Sequence, residues 1–231
     1  MEIDDISNRI VDGARKALTE YKKWSGNYPV ENYGSESIIT SFIAQALMKG
    51  NKEHRLALEE QFSILYSNSK SVIKGRKPNI ISDLKRADIV LYGKDNENNV
   101  LEHIIEVKKK FCTRSALQDI ERMILLLEKI SNKGNGTLKS GHFVYIEHIY
   151  EYQKDVLYKK LNIVTNDNLC SIKCGISKHQ NSIDIKLVKH ENPIYFMQKD
   201  PDYNAEDYGE DDDFSTTYYY LTPVCFNITL K

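Results

Sequence analysis

Three charged residues spaced for one strand face, Asp88 and the pair Glu106 and Lys108, are the part of this sequence best suited to chemistry. Asp88 opens the apolar run IVLY, and Glu106 and Lys108 close the run LEHIIEVK. The segment from Gly93 to Asn99 between them is rich in turn formers, so Ala87 to Lys110 reads as a β-hairpin. Side chains two apart on a strand share a face, so Glu106 and Lys108 point the same way, and hairpin pairing can set Asp88 beside them. Two acids and a lysine on one face are costly to bury for structure alone. They suit a divalent cation with a charged helper. Mg2+ takes hard oxygen ligands, commonly one or two carboxylates and a substrate phosphate, and keeps several waters. Asp88 and Glu106 supply the carboxylates, and the Val107 carbonyl supplies a third oxygen. Such an ion polarises a phosphate and lowers the pKa of a bound water. Lys108 then orients that water or stabilises charge building on the phosphorane. The rival reading is a solvated strand end, on which Glu106 and the lysines are surface charges.

The surrounding elements must position these groups. Residues 2–24 predict a first helix, with Ile3, Ile6, Ile10, Ala14, Ala17, Leu18 and Tyr21 at helical spacing. Ser35 is placed to cap a second helix with the stripe Ile38, Ile39, Phe42, Ile43, Ala46 and Leu47. A third helix is expected from about Lys52 to Tyr66, with Leu56, Leu58, Phe62 and Leu65 inward. Ser115 to Ser131 is the strongest helix, apolar nearly all round, and is expected to pack on a sheet. HFVYIEHI, residues 142–149, reads as a core strand, Tyr150 to Leu161 as a helix, and residues 169–177 and 182–190 as strands. The final STTYYYLTPVCFNITL has strand composition, with Pro223 marking an edge or a bend. The order predicts an α/β protein with a mixed central β-sheet flanked by α-helices.

Asp88, seventeen intervening residues, Glu106-Val107-Lys108 and then a helix resemble the PD-(D/E)xK nuclease superfamily. The resemblance covers roughly residues 30–150. It implies a restriction-endonuclease-like core at about 30–165 in a single domain over 1–231, with the N-terminal helix 2–24 and a β-rich elaboration 166–231 outside that core. It also implies a DNA endonuclease that uses Mg2+, with Mn2+ as a substitute, in restriction or anti-phage defence. Many members place a glutamate on the helix before the hairpin, where it completes the metal site, and Glu36 matches. Many carry a polar residue on the helix after the lysine, and Gln118 matches. Two departures stand out: Ala87 rather than proline precedes Asp88, and Arg122 rather than tyrosine follows Gln118 by four. The alternative is a non-catalytic nucleic-acid-binding or assembly subunit of a defence complex that keeps this fold.

The net charge of −1 carries no global signal for nucleic acid, so charge distribution must. Residues 67–86 hold six bases against one acid, and Lys74, Arg76, Lys77, Lys85 and Arg86 lead into Asp88. Lys109, Lys110 and Arg114 extend the same surface, which suits DNA phosphates; nothing separates DNA from RNA here. The run 200–213 holds eight acids and no base and reads as a solvated loop, with occupancy of the basic cleft or partner binding as lesser readings. Asp119 and Arg122 read as an intrahelical pair. His103 alternates away from Glu106, and His142 and His148 share a face as hydrogen-bonded structure. The four cysteines show no disulfide framework, and Cys170 and Cys174 lack a second pair for zinc. A reduced cytoplasmic setting is the simplest reading. The N-terminus does not resemble a signal peptide, and no apolar run approaches the ~18 residues of a membrane helix. With no motor and no large specificity domain evident, a homodimer or a partner subunit is expected.

Overall fold

Helical spacing of Ile6, Ile10, Ala14, Ala17 and Leu18 produces α1 (Ile3–Trp24), with those residues fully buried. Asp4 and Asp5 in its first turn and Lys22 and Lys23 in its last complement the helix dipole. In the computed structural model the described residues are 2–26, 36–68, 85–95, 98–130, 136–151, 156–190, 192–199 and 216–231. α1 crosses α2 (Glu36–Met48) at Gly13, where a Cβ would stand 2.7 Å from the Cα of Ile43. Only glycine permits that approach, which anchors α2 against α1 and so helps to place Glu36 at the head of α2.

Seven strands form one mixed sheet: β1 (Arg55–Gln61), β2 (Arg86–Asp95), β3 (Asn98–Lys108), β4 (Ser140–Glu151), β5 (Ile183–Lys189), β6 (Ile194–Lys199) and β7 (Thr216–Leu230). The order is β1-β2-β3-β4-β7-β5, and β6 pairs with β7. Among these strands β3 and β4 alone run parallel, with α4 (Thr113–Ile130) between them in sequence. The predicted hairpin is β2 and β3, paired from Asp95 opposite Asn98 to Ile89 opposite Ile105, with a bulge near Leu91 and Tyr92. Alternation along β3 sends Ile104 to one core and Ile105 and Val107 to the other. The first core lies under α4 and α5 (Leu157–Gly175) and includes Ile120, Met123, Leu127, Phe143 and Phe226. The second lies under α1 and α2 and includes Ile10, Ile39, Ile43 and Val144. Each fully buried large aliphatic side chain contributes about 1.5–3 kcal/mol, and both faces of the sheet are covered by helices.

Three expectations differ from the structure. The helix from Lys52 to Tyr66 is instead β1 followed by the short α3 (Phe62–Asn68). Phe62 and Leu65 are buried as expected, but Leu56 and Ala57 turn to opposite cores and Leu58 is exposed, which is strand alternation imposed by pairing with β2. The strand at 169–177 is instead covered mainly by the end of α5, whose buried residues Leu157, Leu161, Thr165 and Ile172 keep helical spacing. Tyr150 belongs to β4, which runs on to Glu151 because β7 pairs with it there, and the helix begins only at Leu157. β6 is a further strand that the sequence pattern does not predict. Lys74, Arg76, Lys77, the Ser35 cap and the acidic run from 200 to 213 lie outside the described residues. No described helix is long and apolar enough to cross a membrane.

Candidate functional site

The β2–β3 ladder ends at Ile89 and Ile105, and the site begins at the next residue of each strand. Asp88 takes over the ladder's work there, because its Oδ2 accepts the Val107 N–H at 2.6 Å. The N–H and C=O of a strand residue point to the same side, so the Val107 carbonyl also faces β2. Glu106, one residue back, points to the α4 face and is only 2% exposed. Lys108 follows on the same face. Its Nζ stands 3.8 Å from Glu36 Oε2, 3.8 Å from Glu106 Oε2 and 3.5 Å from Asp119 Oδ2. Elements from three directions therefore meet at one ammonium: the head of α2, the end of β3 and the first half of α4.

Arg122 closes the cluster from α4. Its Nη1 donates to Asp119 Oδ1 at 3.0 Å and lies 3.8 Å from Glu106 Oε1, while its guanidinium sits 5.0 Å from the centre of the Phe62 ring. The residue is 4% exposed. Asp119 and Arg122 do form the expected intrahelical pair, but that pair is also part of the cluster. A helix apolar nearly all round that carries a charge pair beside its buried residues Ala116, Ile120 and Met123 was the available signal. Glu59 is a second residue that the sequence does not reveal, since its segment has helical spacing. In the β1–β2 register it falls opposite Asp88, with a left-handed φ of 54° and an exposed side chain. Strained backbone of this kind concentrates at functional sites. Gln118 is exposed on α4, and its neighbour Asp119 faces Lys108 instead. Of the basic residues, Lys85, Arg86, Lys110 and Arg114 are exposed and Lys109 is half-buried.

The electrostatics are those of a crowded anionic pocket. Burial, then the charges of Asp88 and Asp119, holds the Glu106 carboxyl well above its ordinary value. Burial likewise raises Asp88, against the lowering effect of the Val107 hydrogen bond. Burial raises Glu36 as well, and Lys108 offsets only part of it. For Lys108 burial disfavours the charge, yet Glu106, Asp119, Asp88 and Glu36 outweigh it and its pKa is raised. A lysine so held stays protonated, which suits it to donating hydrogen bonds rather than acting as a base.

Among the described residues, no three His, Cys, Asp or Glu side chains stand close enough together to hold a metal ion as they are. The carboxylates converge on the Lys108 ammonium instead. The donor set still fits a hard divalent cation. It consists of oxygens, and Glu106 Oε1 is buried and accepts no hydrogen bond from the described residues. A carboxylate desolvated in this way is stabilised by an added cation. Residues able to hold one are Asp88, Glu106, Glu36 and the Val107 carbonyl.

A different polar cluster fills the other face. Ser140 Oγ lies 2.7 Å from both His103 Nδ1 and His142 Nε2, and His142 Nδ1 lies 3.3 Å from Ser7 Oγ on α1. All four residues are fully buried. Burial pushes His103 down to about 2 and His142 down to about 3, so both rings are neutral. No family model matches the chain, and neither a curated protein nor a solved structure does.

Proposed function

We propose that this protein is a Mg2+-dependent nuclease with a restriction-endonuclease-like core, hydrolysing phosphodiester bonds of DNA at the cluster around Lys108. One observation carries the reading. The carboxylates of Glu36, Glu106 and Asp119 stand within 4 Å of the Lys108 ammonium, at the point where Asp88 ends the β2–β3 ladder. A buried cluster with three carboxyls of raised pKa is unfavourable for the fold alone, which is what a site kept for chemistry looks like.

In this reading Asp88, Glu106, Glu36 and the Val107 carbonyl hold Mg2+, with Mn2+ as a substitute. The bound ion supplies phosphate polarisation and a more acidic water. Water attacks phosphorus in line, so that one P–O bond forms as the bond to the leaving oxygen breaks. Lys108, kept cationic, donates hydrogen bonds to the phosphate oxygens that gain charge in the transition state. Lys85, Arg86, Lys109, Lys110 and Arg114 bind neighbouring phosphates and orient the strand. The same residues would serve RNA, because phosphate chemistry is shared.

The test is cleavage of plasmid and linear DNA, with an RNA substrate alongside, in Mg2+, Mn2+ or EDTA. Wild type is compared with Asp88→Ala and Lys108→Ala. Metal-dependent cleavage that both substitutions abolish supports the nuclease. Variants as active as wild type place the chemistry elsewhere. Binding without cleavage under every condition favours the non-catalytic subunit.

A further inference from the structure

Arg122 has no part in the reaction as described, yet it is the most deeply buried cation near the site. Three independent contacts hold it there. Asp119 Oδ1 accepts from it at 3.0 Å, the Phe62 ring lies 5.0 Å from its guanidinium, and Glu106 Oε1 lies 3.8 Å from its Nη1. That last oxygen is the buried one that accepts no hydrogen bond from the described residues. The separation is too long for a hydrogen bond and short enough for strong attraction in a dry site. Asp119 uses its other oxygen, Oδ2, toward Lys108 at 3.5 Å. Arg122, Asp119 and Lys108 thus form a chain of alternating charge along one side of Glu106.

The charges decide what such a chain can do. Glu36, Asp88, Glu106 and Asp119 bring four carboxylates, and Lys108 and Arg122 bring two cations. At the rim the half-buried Lys109 and the exposed Glu59 carry opposite signs. With all four carboxylates ionised, the described side chains of the cluster leave two uncompensated negative charges, the charge of a single divalent ion. A second divalent ion would have to compete with Arg122 for the same side of Glu106.

We propose that Arg122 is a built-in counter-cation at Glu106, positioned by Asp119 and Phe62, which limits the site to one divalent metal ion per chain. The proposal rests on the nuclease reading for the presence of a metal, and adds to it the number of ions and the residue that sets that number. Arg122 acts through Glu106 and is a positioning residue, since it touches neither substrate nor metal. The consequence is a one-ion reaction, with Lys108 in place of a second metal on the phosphate.

Stoichiometry tests this directly. Bound Mn2+ is counted by the loss of its free-ion paramagnetic resonance signal as wild-type protein, Arg122→Lys, Arg122→Met and Glu106→Gln are titrated. Wild type and Arg122→Lys are expected to bind one ion. Removing the charge in Arg122→Met should admit a second ion or tighten the first at least about tenfold, as expected for losing one nearby cation in a low-dielectric site. Glu106→Gln should lose most of its binding. Melting temperature is read in parallel: Arg122→Met should be less stable without Mn2+ and recover more on adding it than wild type does. Two ions bound by wild type overturn the counter-cation while leaving the nuclease reading intact. The same holds if Arg122→Met matches wild type in number and affinity. If Arg122→Met does not fold, Arg122→Gln, which also removes the charge, is titrated in its place and decides by the same outcomes. No Mn2+ bound by wild type overturns both proposals.

Discussion

The two faces of the sheet each bury a polar cluster, and the clusters are built on opposite terms. Under α1 the Ser7, His142, Ser140 and His103 chain is neutral, with two contacts at 2.7 Å and one at 3.3 Å. Short hydrogen bonds link its groups and help to rigidify the fold, although His103 Nε2 has no hydrogen-bond partner among the described residues and lies 3.8 Å from Glu102 Oε2. Under α4 the groups are charged, their ion-pair separations around Lys108 run from 3.5 to 3.8 Å, and Glu106 Oε1 accepts no hydrogen bond from the described residues. The same sheet supports both, so the backbone does not explain the difference. The α1 face holds neutral groups joined by direct hydrogen bonds. The α4 face holds charged groups at longer separations, which the proposed cation would bring together.

Breaking the α4 cluster should cost activity, and the largest effect is expected at its centre. Asp88→Ala and Glu106→Gln should each lower DNA cleavage on the order of 10^3-fold or more, beyond the loss of a single transition-state donor. Glu106→Gln should at the same time raise the melting temperature of the metal-free protein, because it removes a buried charge without changing shape. A lower melting temperature for Glu106→Gln would show that this cluster, too, is structural. Lys108→Met should lower cleavage by about 10^2- to 10^3-fold. It should also destabilise the metal-free protein more at pH 8 than at pH 5, because the carboxylates left behind repel one another only when ionised.

Breaking the α1 cluster should cost stability alone. Ser140→Ala removes the hydroxyl shared by His103 and His142, and should destabilise by about 1–3 kcal/mol. That corresponds to a fall in melting temperature of roughly 2–4 °C per kcal/mol for a chain of this size. Cleavage per folded molecule should stay at the wild-type rate. A selective loss of activity in folded Ser140→Ala would join the two faces into one functional unit.

The smallest and sharpest contrast is in pH dependence. His103 and His142 are lowered from 6.5 to about 2 and about 3, by burial above all. The stability they contribute is present above 6.5 and is lost as pH falls from there toward their folded values. Glu147 lies on the α4 side, where Asn168 of α5 donates to its Oε2 at 2.8 Å. Burial raises it from 4.5 to about 7. Its contribution is present below 4.5 and is lost as pH rises through about 7, and Glu106, Asp88 and Glu36 act in the same sense. Denaturation of the metal-free protein followed against pH should show an acid limb weakened in His142→Leu and an alkaline limb weakened in Glu106→Gln. Mg2+ should stabilise the protein at pH 8 and have little effect at pH 5.

How much of this was legible in the chain depends on the reach of each signal. Strand alternation is local, so Glu106 and Lys108 could be put on one face, and the hairpin recognised, without any other part of the molecule. Helix α4 was equally clear, but which of its polar residues meets Lys108 was not. Successive residues on a helix turn by about 100°, so moving one place from Gln118 to Asp119 changes exposed to facing the site. That choice depends on how α4 rolls onto the sheet. For β1, Leu56, Phe62 and Leu65 fit a helix about as well as a strand followed by a helix, and only pairing with β2 separates them. The burial of Arg122, the bend at Glu59 and the close approach at Gly13 likewise depend on partners far away in sequence.

By itself, then, the sequence determined the α/β order of elements, the hairpin and the shared face of Glu106 and Lys108, because periodicity and turn chemistry act over a few residues. The resemblance pointed to Glu36 as well, whereas tertiary structure alone decided that Asp119 and Arg122 join them. Bringing charges from α2, β3 and α4 to within 4 Å depends on the packing of both cores, which no local pattern encodes.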